Sequence, residues 1–279
     1  MKNRKCIITG ANGYLGSFLS SMFKNHGWQV IEFSSSKKDN QKEFKLDKSN
    51  DLQEIHFKDC NLLIHTSYDF SFKNDNLNKN PNIEGSIRLF EIASKMNVEK
   101  IINISTISSF KNSKSRYGKT KFQIEEKSQK YNVINLRPGL FFGSNSKIIK
   151  KIENICKIFP IIPMIGKGNF KLHLTNYDDL FQFILEIYSE KNLDFSKILY
   201  PCSIEAVTFK ELIKLISPSK KTIYIPLYFI TIILKLFDLL RIKLPLDYDN
   251  LNGLIHYNDE INFDYTRNFK TKFRNFENN

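Results

Sequence analysis

Two side chains in this sequence stand at a spacing that can move a proton. Tyr117-Gly118-Lys119-Thr120-Lys121 contains a Y-x-x-x-K pair, and on a helix positions i and i+4 share one face, a turn apart. A phenol titrates near pH ~10. An ammonium beside it favours the phenolate and brings the group within reach of neutral pH, where it can act as an acid or a base. Such pairs arise by chance in a lysine-rich chain, so the surroundings must support the reading. One support lies just upstream, where the apolar run at Ile101–Ile104 gives way to the hydroxyl cluster Ser105-Thr106-Ile107-Ser108-Ser109.

The second feature is a turn that can hold phosphate. Thr9-Gly10-Ala11-Asn12-Gly13-Tyr14-Leu15-Gly16-Ser17 follows the first apolar strand and opens a segment with Phe18, Leu19, Met22 and Phe23 at helical spacing. Gly10 permits the tight strand-to-helix turn, Gly13 lets backbone approach a pyrophosphate, and Gly16 lets the helix lie close to the sheet. The diphosphate then faces the N–H groups of a helix start.

These residues need a scaffold to hold them. Short apolar runs at Lys5–Thr9, Gln29–Phe33, Leu62–Thr66, Ile101–Ser105 and Val133–Arg137 alternate with amphipathic segments, one carrying Ile83, Ile87, Phe90 and Ser94 on one face. Buried strands alternating with helices predict a parallel sheet with right-handed crossovers. Beyond about Leu140 helices dominate, at Asp178–Ser189, Thr208–Ile216 and Leu227–Leu240. The expected fold is α/β, a Rossmann-type doubly wound parallel sheet with a small, mainly helical C-terminal substrate lobe. Residues 1–140 form the dinucleotide-binding core with the Tyr/Lys pair, and 141–279 complete that core and build the lobe.

The order G-x-x-G-x-x-G followed by Y-x-x-x-K resembles the extended short-chain dehydrogenase/reductase superfamily, whose NAD-dependent epimerase/dehydratase members modify sugar nucleotides. The resemblance covers about the first 180 residues in order and the remainder loosely. It implies that Tyr117, Lys121 and Thr106 are catalytic, with Ser105 the alternative to Thr106 for the hydroxyl that holds the substrate oxygen. It implies cofactor contacts from Gly10, Asn12, Gly13, Tyr14, Leu15 and Gly16. It adds Asp47 beside the adenine, Thr66 and Ser67 after the fourth strand, Asn82 at a helix start, and Ser105 and Pro138. His65 reads as a packed strand histidine rather than a base.

At the end of the second strand an acidic residue selects NAD, while a basic one accepts the 2′-phosphate of NADP. Here Ser34 stands at the acidic position, followed by Ser35, Ser36, Lys37 and Lys38. Ser35 and Lys37 are the expected phosphate contacts, so NADP is favoured over NAD. Two departures bear on the substrate. Only ten residues separate Thr106 from Tyr117, a short version of a loop that walls the sugar site, and Leu140 stands where several epimerases carry a substrate-contacting Asn. Further on, Gly166-Lys167-Gly168 to Asp179 resembles the family's substrate loop. Lys167 and Lys171 are candidates for substrate phosphates there, and Asp178 or Asp179 is expected to cap the next helix.

The activity implied is hydride transfer on a nucleotide-linked sugar, by a 4-keto-sugar reductase or a sugar 4-epimerase, in surface polysaccharide biosynthesis. The missing acidic residue tilts the choice toward reduction. The rival readings are an epimerase acting on a lipid-linked sugar at the membrane surface, and a non-catalytic NAD(P) sensor. Sensors on this fold usually lose the Tyr/Lys pair, which is kept here.

Composition narrows the rest. The 279 residues carry 42 Lys and Arg against 29 Asp and Glu, a formal charge of +13. These basic residues are scattered rather than gathered in a stripe, so no specific nucleic-acid partner is expected. Cys6, Cys60, Cys156 and Cys202 have no metal-ligand spacing, so they read as buried reduced thiols and no metal is expected. The N-terminus lacks a signal-peptide pattern, and the uncharged run Thr222–Leu234 is too short to span a bilayer. A cytoplasmic protein is expected, with a sugar-nucleotide substrate, a homodimer as a candidate assembly, and at most peripheral contact with a membrane.

Overall fold

The computed structural model describes residues 4–36, 38–47, 52–73, 77–143, 146–239, 248–256 and 261–276. Six strands form one parallel sheet: β1 (Lys5–Thr9), β2 (Gln29–Ser34), β3 (Lys42–Glu43), β4 (Leu62–His65), β5 (Lys100–Ile104) and β6 (Val133–Leu136). Their spatial order is β3-β2-β1-β4-β5-β6, the order of the Rossmann fold. Helix α1 (Tyr14–Asn25) links β1 to β2, α2 (Pro81–Lys95) links β4 to β5, and α3 (Arg116–Ser128) links β5 to β6.

The strands read as unbroken apolar runs because both sheet faces are covered. Cys6 and Ile8 of β1 enter one cluster with Leu19 and Phe23 of α1. Ile7, between them, enters the opposite cluster with Ile83 and Phe90 of α2 and Ile124 of α3. All four cysteines are buried and unpaired.

The second half contains β7 (Leu140–Phe142), α4 (Lys147–Ile158), β8 (Ile161–Ile165), β9 (Lys171–Leu172), β10 (Leu174–Asn176), α5 (Tyr177–Ser189), β11 (Val207–Thr208), α6 (Phe209–Ile216), β12 (Lys221–Ile225), α7 (Leu227–Leu239) and α8 (Tyr248–Ile255). The expected helices are present, but so are three two-stranded sheets: β7 with β10, β9 with β11, and β8 with β12. Strands of two to five residues leave too short an alternation to register in sequence.

Helix α5 belongs to the first core. Leu180, Phe181, Phe183 and Ile184 pack with β1, β4, β5 and β6, and Phe181 meets Phe23 edge-on at 5.1 Å. Its cap is Asn176, whose Oδ1 accepts from Asp178 N at 2.9 Å and Asp179 N at 3.4 Å. The expected cap, Asp178 or Asp179, is therefore corrected. The helix starts two residues earlier, which places both carboxylates in the first turn, where the helix dipole favours them.

Segment 261–276 returns to α5. Phe269 and Phe273 meet Phe183 edge-on, Thr271 Oγ1 donates to Glu186 at 2.7 Å, and the Arg274 guanidinium pairs with Asp179 at 2.6 Å.

Candidate active site

The glycine turn sits against the chain leaving β4. Gly10 has φ +69°, and a Cβ there would meet Thr66 Oγ1 at 2.8 Å and Ser67 N at 3.0 Å. A Cβ on Gly16 would run into the Gly10 carbonyl, so α1 approaches the sheet as closely as backbone allows. Thr66 Oγ1 donates to Thr9 O at 2.6 Å, fastening the two strand ends together.

Gly13 stands at the N-cap of α1, and no side chain caps that helix. The leading N–H groups of a helix have no acceptors within it. By contrast, α2, α3, α4, α5 and α6 are capped by Asn80, Ser115, Ser146, Asn176 and Thr208. Asn12, Gly13 and Tyr14 are exposed at this start and Leu15 is half-buried. An exposed, uncapped helix start beneath a turn with no side-chain bulk fits the pyrophosphate of a dinucleotide.

Behind the turn lies a closed chain of hydrogen bonds. Thr9 Oγ1 accepts from the amides of Thr66 (3.2 Å) and Ser67 (3.3 Å), so its proton points to His65 Nδ1 at 2.8 Å. His65 Nε2 then donates to Ser86 Oγ at 2.8 Å, and Ser86 Oγ donates to Asn82 O at 2.6 Å. Burial, with the Lys121 charge adding to it, holds this imidazole well below its usual range. His65 is thus a neutral packing residue. Asn82, expected among the cofactor contacts, is buried. Its Oδ1 accepts from Asp69 N at 2.6 Å and its Nδ2 donates to Asp69 O at 3.1 Å, so it fixes the loop that carries Tyr68 and Phe70.

At the end of β2 the Ser34 hydroxyl is buried and accepts from Asn12 Nδ2 at 2.8 Å. Ser35, Ser36 and Lys38 are exposed, and Lys37 lies outside the described residues. Glu32, two residues earlier on the same side of the strand, pairs with Lys24 at 2.5 Å and accepts from Gln41 Nε2 at 3.1 Å, an amide that also donates to Asn12 Oδ1 at 3.0 Å. Asp47 is exposed beside Leu46, whose backbone a Cβ on Gly85 of α2 would strike.

Tyr117 and Lys121 lie on the inner face of α3. Lys121 is 2% exposed, and its Nζ donates to Ile104 O at the end of β5, at 2.7 Å. It stands 6.0 Å from the Tyr117 ring centre and 5.6 Å from that of Tyr68. Burial pulls the Lys121 ammonium down to about 8, against the opposing pull of Glu125. Tyr117 packs edge-on to Tyr68 at 4.7 Å and stacks on Phe70 at 5.6 Å. Burial, then the Tyr68 phenol, raises its pKa above the ordinary value. In this resting site the burial of the phenol outweighs the lowering expected from Lys121, whose Nζ is turned to the Ile104 carbonyl.

Of the two candidate hydroxyls, Ser105 is committed to Glu125 Oε1. The carboxylate of Glu125 also receives Arg137 Nε at 3.0 Å and Nη2 at 2.5 Å, and Arg137 Nη1 reaches Tyr200 Oη at 3.1 Å. Thr106 is half-buried and accepts from Ser108 N at 3.3 Å, an arrangement that leaves its own proton for a substrate oxygen. Pro138 is buried, and its carbonyl accepts from Ile107 N at 3.0 Å, holding the chain just past Thr106.

Sequence reasoning passed over two supports. Glu125 follows Lys121 by one further turn, and the spacing 117, 121, 125 could have disclosed it. Asp249 of α8 gave no signal. Its Oδ1 accepts from Arg116 N at 2.6 Å and its Oδ2 from Tyr117 N at 3.1 Å. Ser108 Oγ donates to Gly253 O at 3.1 Å, so α8 sits against the short loop between Thr106 and Tyr117.

Several solved structures share this fold. An ADP-L-glycero-D-manno-heptose-6-epimerase from Helicobacter pylori is 16% identical, with a TM-score of 0.69 over 82% of this chain and 86% of its own. A UDP-N-acetylglucosamine 4-epimerase from Bacillus cereus is 17% identical, with a TM-score of 0.68 over 80% and 85%. MoeE5, solved with UDP-glucuronic acid and NAD, is 17% identical, with a TM-score of 0.63 over 80% and 85%. No curated protein matches the sequence. The family model described as "NAD dependent epimerase/dehydratase family" matches residues 6–196. With more than half of its length so matched, the chain belongs to that family and is a nicotinamide-dependent enzyme of the short-chain dehydrogenase/reductase type.

Proposed function

We propose that the protein acts on a nucleotide-linked sugar as a 4-keto-sugar reductase, with a sugar 4-epimerase as the second reading. A nicotinamide bound along the C-terminal strand ends would supply or take up hydride. Residues 1–140 would carry that cofactor and the reacting groups, and 141–279 would complete the core and bind the sugar. Among the similar structures are two sugar-nucleotide epimerases and one protein solved with UDP-glucuronic acid and NAD, which supports the substrate class.

The observation that favours reduction is the end of β2, where Ser34 stands in place of the carboxylate that selects NAD, because reductases often draw on NADPH. A ketone accepting hydride needs a proton on its oxygen, which the Tyr117 phenol, protonated at neutral pH, can give. In the proposed reaction Thr106 hydrogen-bonds the substrate oxygen, Tyr117 protonates it, and Lys121 provides positive charge beside the phenol as its proton leaves. NADP is favoured over NAD, because Ser35, Ser36 and Lys38 are exposed at the end of β2 and Ser34 offers no carboxylate.

The test is to supply the purified protein with UDP-4-keto-hexoses and NADPH or NADH, and separately with UDP-hexoses and NAD. Oxidation of NADPH dependent on the keto-sugar is expected. Interconversion of UDP-hexoses without net cofactor consumption would establish the epimerase instead.

A further inference from the structure

The second half of the chain carries a bare apolar face that the catalytic reading does not use. In the β8–β12 sheet Ile161 pairs with Lys221 and Pro163 with Ile223. Residues opposite one another in a sheet point to the same side, and all four are exposed. Their inward neighbours Ile162 and Met164 are buried, Ile162 against Cys156 and Ile213. Strand β8 is therefore packed on one side and open on the other, while Tyr224 of β12, opposite Met164, is itself 50% exposed.

Two further apolar stretches are joined to this sheet along the chain. Ile158 and Phe159, where α4 runs into β8, are 73% and 47% exposed. Helix α7 starts two residues after Ile225, and its Tyr228, Phe229, Ile232 and Leu236 are exposed at 70%, 57%, 46% and 51%. Their spacing places them along one helix face.

The charge around these residues is predominantly positive. Lys157 and Lys221 are exposed, and Lys220 Nζ donates to Phe159 O at 3.1 Å beside the apolar tip. From Phe209 to Lys243 the sequence holds seven Lys and Arg against two Asp and Glu. Apolar side chains ringed by lysines match a surface with negative headgroups over an apolar interior. A second copy of the same face would set lysine against lysine in a chain of formal charge +13, which opposes self-association there. No helix among the described residues is long and apolar enough to cross a membrane.

We propose that the face built from the end of α4, the open side of β8–β12 and the exposed side of α7 docks the enzyme on an anionic membrane surface.

The test is co-sedimentation of the full chain with vesicles of phosphatidylcholine alone and of phosphatidylcholine with phosphatidylglycerol in equal parts. Binding is expected to the anionic vesicles, to be weaker on the neutral ones, and to fall as salt rises. The double variant Phe229→Glu, Ile232→Glu should lose most of that binding while its circular dichroism is unchanged. Lys220→Gln and Lys221→Gln are milder surface changes that leave the apolar face intact, and each should weaken anionic binding by about fivefold. The proposal is overturned if the wild-type chain ignores anionic vesicles, binds both kinds equally, or binds undiminished in the lysine variants. It is also overturned if sedimentation velocity shows a dimer that the Phe229→Glu, Ile232→Glu variant converts to monomer. None of these outcomes depends on which sugar the enzyme uses.

Discussion

Two helix starts in the same sheet are finished in opposite ways. Helix α1 begins at an exposed glycine with no side-chain cap. Helix α3 is sealed twice, by Ser115 on Gly118 N at 3.0 Å and by the Asp249 carboxylate on the amides of Arg116 and Tyr117. An open start keeps its N–H groups for a ligand's negative charge. A sealed start uses them up within the protein, and what it gains is position: the backbone of Tyr117 is held by a residue 132 positions away. The difference separates binding from placement, and mutations at the two starts should have separate effects.

The sharpest separation is expected at Tyr117. Tyr117→Phe keeps the ring and its packing on Tyr68 and Phe70, so turnover should fall roughly 10²–10⁴-fold while dinucleotide affinity, read by calorimetry, stays near wild type. Full activity in a folded Tyr117→Phe protein would move the chemistry away from α3.

Lys121 tests the cost of the sealed end. Its pKa of about 8 lies below the ordinary value of 10.5, so between those values the unfolded chain holds a proton that the folded one lacks. Stability against urea should therefore rise with pH across that window, by on the order of 3 kcal/mol from this group. Lys121→Met should remove that rise. It should also weaken dinucleotide binding if the amine meets the nicotinamide ribose, as the family resemblance implies.

At the open end, Gly13→Val places a side chain where the pyrophosphate would lie. A Cβ there meets only the Gly10 carbonyl, at 3.1 Å, so thermal stability should change little. Dinucleotide affinity should drop by about 1–3 kcal/mol, or roughly 5- to 150-fold. At the sealed end, Asp249→Ala removes a cap rather than a reacting group. It should cost about 1 kcal/mol of stability and lower kcat with dinucleotide affinity unchanged. Equal losses of affinity in both variants would erase the distinction. The smallest effect expected is cofactor choice: NADPH should bind more tightly than NADH, with the margin narrowing as salt screens Lys38.

What could be read from sequence follows from how local each signal is. The sheet was legible because strands covered on both faces are unbroken apolar runs, and the turn at Gly10–Gly16 and the pair Tyr117–Lys121 each lie within one or two helical turns. The capping of α3 by Asp249 was not legible, since nothing near Asp249 marks it as a partner of a helix 133 positions earlier. The same holds for Asn82, whose place in a family motif suggested cofactor contact while its side chain bonds the Asp69 backbone. Thr106 already ranked ahead of Ser105 in the sequence, but the engagement of Ser105 by Glu125 is visible only in the structure.

The return of segment 261–276 to α5 has a consequence for how the chain is made. Phe183, Glu186 and Asp179 await Phe269, Phe273, Thr271 and Arg274, yet α5 itself closes one face of the cofactor-binding sheet. During synthesis the strands and the glycine turn leave the ribosome long before the residues that fasten that face. The cofactor-binding half is then expected to remain protease-sensitive on stalled nascent chains until segment 261–276 has emerged, and pulse proteolysis of ribosome-bound intermediates of increasing length would reveal the step.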